Sequence, residues 1–149
     1  TPIHDTHAKG MIFGLNLTHT RGDIYRAMFE GIALGTRHVF ETYADAGVPP
    51  RRIYAAGGGT KNAVWGQATS DVSGTTQILR DKTIGASYGD AFLAALAIGD
   101  VARGDIDTWN PVASEIVPNA TLRSLYDRHY GVFRSLYDST RGLMREIEP

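Results

Sequence analysis

The chain has 149 residues, enough for one domain with a sizeable core, and its 42% hydrophobic and 21% charged residues exclude long disorder, collagen and low-complexity classes. Lys and Arg number 15 and Asp and Glu 16, so the net charge is -1 and no global positive field gathers nucleic acid or anionic lipid. There is no cysteine, which excludes disulfides, thiolate metal sites and a cysteine nucleophile and fits a reducing compartment, so a cytoplasmic location is expected.

The opening Thr1-Pro2-Ile3-His4-Asp5 has no basic region followed by an apolar core, so it is not a signal peptide. It lacks an initiator Met, and the chain reads as a processed product or a piece of a longer protein. No window approaches the roughly 18 apolar residues of a membrane span. Residues 1–10 read as an irregular lead-in, and Met11 to Leu17 as a short apolar strand. Thr18 to Gly22 offer capping groups for a long helix from about Asp23 to Ala46. Ile24, Met28, Ile32 and Val39, with Tyr25, Phe29 and Phe40 beside them, leave that helix little polar face in its first turns. Gly31 and Gly35 each cost about 1 kcal/mol of helix propensity, which predicts a close backbone neighbour. Gly47 and Pro49-Pro50 end the helix.

A short strand is predicted over 52–56, then a helix from about Lys61 to Ser73 stopped by Gly74. Thr76 to Leu79 reads as another strand. An Ala-rich helix from Ala86 to Ile98, with Gly85 and Gly89, is predicted to be buried and pressed on its neighbours. Residues 100–120 read as a connector with Trp109, Pro111 and Pro118. The last helix, Thr121 to Ile147, carries a seam of Leu122, Tyr126, His129, Phe133, Leu136, Thr140, Leu143 and Ile147. Packing on the domain's own sheet is expected for it; a homodimer through the seam is the other reading. Strand and helix alternate along a single domain, which argues for an α/β class.

The chemistry concentrates where a strand runs straight into Gly57, Gly58, Gly59 and Thr60 and then a helix. Glycines permit positive φ and remove every Cβ, so an anion can lie against bare backbone. The first N–H groups of the helix are unpaired, and its dipole adds partial positive charge. Together they describe a phosphate or nucleotide cradle; Thr60 can cap the helix or touch a phosphate oxygen, and Asn62 can hydrogen-bond a purine edge. Three glycines alone leave open a turn that only packs. The stretch is neither a P-loop, since no Gly-Lys-Ser/Thr follows at that spacing, nor the Rossmann Gly-x-Gly-x-x-Gly. Lys61 is expected to be solvated.

The wider pattern resembles the C-terminal domain of the FGGY family of carbohydrate kinases, closest to the pentulose or xylulose kinases. It is carried by Thr1-Pro2 with Asp5 and Gly10, Gly14-Leu15, Thr20-Arg21-Gly22-Asp23 through Ala27, Glu30 to Ala33 and Arg37-His38-Val39. It continues through Ala56 to Asn62, Trp65, Gln67, Asp71-Val72, Gly74, Ile84-Gly85-Ala86, Gly89, Ala91 and Leu93 to Ala95, covering about residues 1–99 in order. The resemblance implies an actin-like, ribonuclease-H-like ATPase fold, a mixed sheet flanked by helices. It implies that residues 1–149 are a single C-terminal nucleotide-binding domain, facing an N-terminal domain across a cleft where ATP and sugar meet. It also implies that the opening strand of the domain and a further nucleotide-contacting stretch lie upstream. The catalytic Asp, the Mg²⁺ carboxylates and most sugar contacts would lie in the N-terminal domain, so no residue here is assigned to catalysis or to metal. Gly57, Gly58, Gly59 and Thr60 would face phosphate or ribose, and Asn62 the adenine. The implied activity is ATP-dependent phosphorylation of a sugar hydroxyl, with a pentulose such as xylulose in view and this chain inactive alone. A non-catalytic actin-like nucleotide-binding or interaction module is the alternative, and a purely structural or oligomerisation domain a third reading.

Other groups have plainer readings. His4 and His7 with Asp5 suit a solvated turn better than a metal site, and Asp5 matches a family position near the domain junction. His19 and His38 are expected to be satisfied structural groups. Glu30 lies in an apolar helix and needs a partner among Arg21, Arg26 and Arg37, so a structural ion pair is expected, with a role near the nucleotide as the other reading. Asp81 either borders the site or caps the Lys82-Thr83 turn.

Overall fold

The computed structural model describes residues 2–147, so Thr1 of the family pattern lies outside the described residues. The elements in chain order are α1 (Arg21–Asp45), β1 (Ile53–Ala55), α2 (Ala63–Ser73), β2 (Gln77–Arg80), α3 (Ala86–Ala97), α4 (Ile106–Trp109), β3 (Val112–Ile116) and α5 (Arg123–Glu146). β1 and β2 pair in parallel through the α2 crossover, with Ile53 opposite Gln77, and β3 adds antiparallel to β2, with Gln77 opposite Ile116. The sheet order is β1-β2-β3. The alternation predicted the α/β class, and the family resemblance implied the mixed sheet.

Local chemistry sets the boundaries. Thr20 and Asp23 close a capping box at the start of α1, with Thr20 N–H donating to Asp23 Oδ2 at 2.7 Å. Gly74 ends α2 in the left-handed region at φ 68°. The core is a cluster of Ala33 on α1, Ala68 and Val72 on α2 and Tyr126 on α5. Buried polar groups on α2 are paired. Ser70 Oγ donates to the Ile116 carbonyl at 2.8 Å and accepts from Gln77 Nε2 at 2.9 Å. Asp71 accepts from Gln67 Nε2 at 2.8 Å and from Asn119 N–H at 2.7 Å. Gln67 and Asp71 therefore lock α2 to the segment after β3 and leave no buried donor or acceptor stranded there.

Five expectations are corrected. Met11 to Leu17 is not a strand: it pairs with none of the described strands, Asn16 to His19 form a side-chain-closed turn, and Leu17 is fully exposed. Gly31 and Gly35 meet nothing within 4 Å of where a β-carbon would stand. At 3.6 residues per turn they lie across α1 from buried Ala33 and Arg37. Helix α3 is not buried; only Phe92 is, while Leu93 and Ile98 are exposed. Its packing runs through Phe92 and Tyr88 against Trp109, at ring distances of 5.7 and 5.8 Å. The connector contains β3, a strand bounded by Pro111 and Pro118 whose alternation was too short to stand out. The seam of α5 shifts: Tyr126, Tyr130 and Met144 are buried, while His129, Leu143 and Ile147 face out. The face that packs is the one carrying tyrosines, because their rings reach α1 while their hydroxyls find polar partners.

Candidate functional site

β1 and β2 run in parallel, so the loops leaving their carboxyl ends open side by side, the place where α/β sheets hold ligands. The first loop is the glycine stretch. Gly57 sits at φ 88°, ψ -176°, a conformation open essentially to glycine, and its N–H donates to the Thr83 carbonyl of the second loop at 2.7 Å. That second loop reaches Gly85 at φ 87°, which opens α3 with no side-chain cap. Positive φ thus belongs to Gly57 and Gly85; Gly58 does not use it.

Gly58 to Lys61 form a 3₁₀ turn ahead of α2, and its leading N–H groups have no intrahelical partner. A β-carbon at Gly57 or Gly58 would meet nothing within 4 Å, so the backbone there is open to a bulky anion. At Gly59 it would lie 2.9 Å from Trp65 Cζ3, so this glycine is the one that lets the loop sit on the indole. Thr60 is not the cap: its hydroxyl donates to the Gly57 carbonyl at 2.7 Å and closes the turn on itself. Asn62 is the cap instead, its Oδ1 accepting from Trp65 N–H at 3.1 Å. Its Nδ2 donates to Tyr25 Oη at 3.2 Å, which ties the rim of the loop to the second turn of α1. Lys61 is exposed, as expected. The five predicted residues 57–60 and 62 are brought together in one turn and its rim.

Beyond the second loop lies a hollow of about 150 Å³, lined by Tyr54, Arg80, Gly85, Tyr88 and Trp109 among others. Arg80 donates to Asp107 at 2.7 Å and to the Asn110 carbonyl at 2.6 Å, and its guanidinium lies 4.9 Å from the Tyr54 ring centre. The Asp107 hydrogen bond holds the Arg80 proton more tightly than usual. Tyr25, Tyr54 and Arg80 escaped the sequence reading because each acts on residues far along the chain. Asp81 pairs with Lys82 at 2.6 Å and its N–H donates to the Pro111 carbonyl, so it braces the turn.

The remaining candidates resolve as structural groups. Glu30 accepts from Arg26 Nε at 2.8 Å and from Tyr126 Oη at 2.9 Å, joining α1 to α5; the Glu30 hydrogen bond strengthens Arg26's hold on its proton. Asp5 accepts from Tyr137 Oη at 2.8 Å and from His7 N–H at 3.0 Å, and these two hydrogen bonds keep its carboxyl below the usual range. His19 Nδ1 accepts from Asn16 N–H at 3.0 Å. His38 packs edge-on to Tyr130 at 6.4 Å, and burial pushes its pKa down. Among the described residues no three His, Cys, Asp or Glu side chains gather as a metal site.

The profile of the FGGY family of carbohydrate kinases, C-terminal domain, matches residues 1–98. An FGGY carbohydrate kinase domain-containing protein of Xenopus laevis is 34% identical, over 91% of this chain and 26% of its own length. A xylulose kinase of Staphylococcus epidermidis is 30% identical, over 99% of this chain and 30% of its own. The crystal structure of xylulose kinase from Rhodospirillum rubrum superposes with a TM-score of 0.82 at 34% identity, over 93% of this chain and 28% of that one. The fold is the actin-like ATPase fold of these kinases. The chain thus spans less than a third of the length of the relatives it matches.

Proposed function

The chain belongs to the FGGY family of carbohydrate kinases, and from this we propose that it forms the ATP-binding half of an enzyme that passes the γ-phosphoryl group to a sugar hydroxyl. The observation that carries the reading is the open turn at Gly57 and Gly58, set at the carboxyl ends of two parallel strands with Asn62 on its rim. Residues 1–149 act as one C-terminal nucleotide-binding domain. The backbone of Gly57, Gly58, Gly59 and Thr60 receives phosphate and ribose; Gly58 and Gly59 offer their N–H groups, which have no partner among the described residues, and the helix dipole adds to them, while the Gly57 and Thr60 N–H groups hold the turn in shape. Asn62 meets the adenine. ATP supplies the transferable phosphoryl group, and this chain's part is to fix it in place and keep its chain of oxygens aligned toward the cleft.

The base that takes the sugar proton, the carboxylates for Mg²⁺ and the sugar contacts are assigned to an N-terminal domain facing this surface. A pentulose such as xylulose is the proposed substrate, because the relatives above include a xylulose kinase. A cytoplasmic location is part of the proposal, in keeping with the cysteine-free sequence. Among the described residues no helix is long and apolar enough to cross a membrane. The test is a coupled ADP-release assay with a panel of ketopentoses and polyols, run on the intact polypeptide and on this chain alone. Sugar-dependent turnover is expected from the intact polypeptide only. Turnover by the 149-residue chain alone would refute the two-domain reading. Silence of the intact polypeptide with every sugar would favour the non-catalytic nucleotide-binding module.

A further inference from the structure

We propose that Tyr25 is a positioning residue for nucleotide recognition, acting by fixing the orientation of the Asn62 side-chain amide; the inference rests on the nucleotide reading above. An asparagine amide at a site rim can present either its oxygen or its nitrogen, and the two ends have opposite hydrogen-bonding character. Here both ends are tied. Oδ1 accepts from Trp65 N–H at 3.1 Å as the cap of α2, which turns the NH₂ group away from the helix. Nδ2 then gives one hydrogen to Tyr25 Oη at 3.2 Å and keeps one to offer. A cap alone leaves the amide plane free to rock about its oxygen; the tyrosine hydroxyl, 37 residues away in sequence, removes that freedom.

Tyr25 is itself held. It stands at the start of the second turn of α1, behind the Thr20–Asp23 capping box, and meets the Phe29 ring edge-to-face at 4.8 Å. Phe29 in turn lies 5.6 Å from Trp65, the residue on which Gly59 rests. One aromatic row therefore supports both the glycine turn and the Asn62 rim. Tyr25 is nevertheless 53% exposed, so its hydroxyl stands at the surface and does not serve the core. The ligand chemistry this suits is a purine whose ring nitrogen accepts from the free Asn62 N–H. The Tyr25 hydroxyl keeps a hydrogen and a lone pair for a group beside that nitrogen. Orientation fixed before binding lowers the ordering cost that the ligand would otherwise meet.

The experiment uses the intact polypeptide and four forms: wild type, Tyr25→Phe, Asn62→Ser and the double variant. Phe keeps the ring contact with Phe29, and Ser keeps a cap oxygen while removing the amide. Titration with ADP and displacement by inorganic pyrophosphate are measured, with thermal midpoints to confirm folding. Tyr25→Phe is expected to raise the Kd for ADP about three- to tenfold, the worth of one hydrogen bond, and to leave pyrophosphate affinity unchanged. In the Asn62→Ser background Tyr25→Phe should add nothing, because the group it positions is gone. Unchanged ADP affinity in Tyr25→Phe overturns the proposal, as do additive losses in the double variant or an equal loss for pyrophosphate. A wild-type protein that binds neither ligand sinks the nucleotide reading and this inference with it. Wild-type binding with an indifferent Tyr25→Phe sinks this inference alone.

Discussion

Three substitutions in adjacent glycines should separate folding from nucleotide binding. Gly58 is exposed, with no positive φ and nothing within 4 Å of a β-carbon, so Gly58→Val places its methyl groups in open space. Its effect on stability should stay within about 0.5 kcal/mol, the range of a surface change. The same methyl groups occupy the space a phosphate needs. Two backbone N–H contacts to an anion, at about 1.5–3 kcal/mol each, predict a loss of ADP affinity of about 100-fold or more. Gly59→Ala does the reverse kind of damage. Its β-carbon would stand 2.9, 3.2 and 3.3 Å from three atoms of Trp65, and Phe29 behind the indole limits retreat. Overpacking of that kind costs about 1–3 kcal/mol. Gly57→Ala would force an alanine to φ 88°, ψ -176°, at a cost of about 1–3 kcal/mol. Calorimetric titration of ADP into the intact polypeptide, with urea unfolding of each variant, reads both quantities. Unchanged ADP affinity in Gly58→Val would mean that the glycines are only a turn. A Gly58→Val protein as unstable as Gly59→Ala would refute the geometry of open space above the loop.

Arg37 is buried at 8% exposure, pairs with Asp127 at 2.8 Å and Glu41 at 3.0 Å, and lies 4.3 Å over the Tyr130 ring. Arg37→Met should cost about 1–3 kcal/mol in urea unfolding, at the lower end for a broken pair because both carboxylates can rehydrate; a loss under about 0.5 kcal/mol would refute its role as the tie between α1 and α5. His38 has its pKa depressed by burial first and by Arg134 second, so below its ordinary value of 6.5 the unfolded chain binds more protons than the folded one. The His38 contribution is therefore fully present above that pH and is lost as pH falls through the depressed value. Thermal midpoints should fall more steeply on acidification for wild type than for His38→Gln, and parallel slopes would count against it. This chain alone should show no sugar-dependent ADP release, since its cradle lacks the opposing wall that a second domain would give.

Much of this protein is written in short stretches of sequence. The Thr20–Asp23 box, the stop at Gly47, the left-handed Gly74 and the glycine turn after β1 each depend on backbone angles and on side chains within a few residues, so they are legible one window at a time. The class and the position of the candidate site follow from them. Partner choice does not. Which face of α5 packs was settled by Tyr126 reaching Glu30, 96 positions away, and the seam predicted through His129 and Leu143 gave way to one through Tyr130 and Met144. Capping the helix is one of two readings for Thr60, but the 3₁₀ turn folds its hydroxyl onto Gly57 and passes that role to Asn62. Tyr25 meets Asn62 only because α1 packs on α2 through Ala33, Ala68 and Val72. Apolar composition marks Met11 to Leu17 as a strand, and alanines and glycines mark α3 for burial, yet burial needs a surface to meet, and no local composition supplies one. Backbone conformation is encoded within a turn's length of chain, whereas contacts between elements are decided by which surfaces close packing brings together.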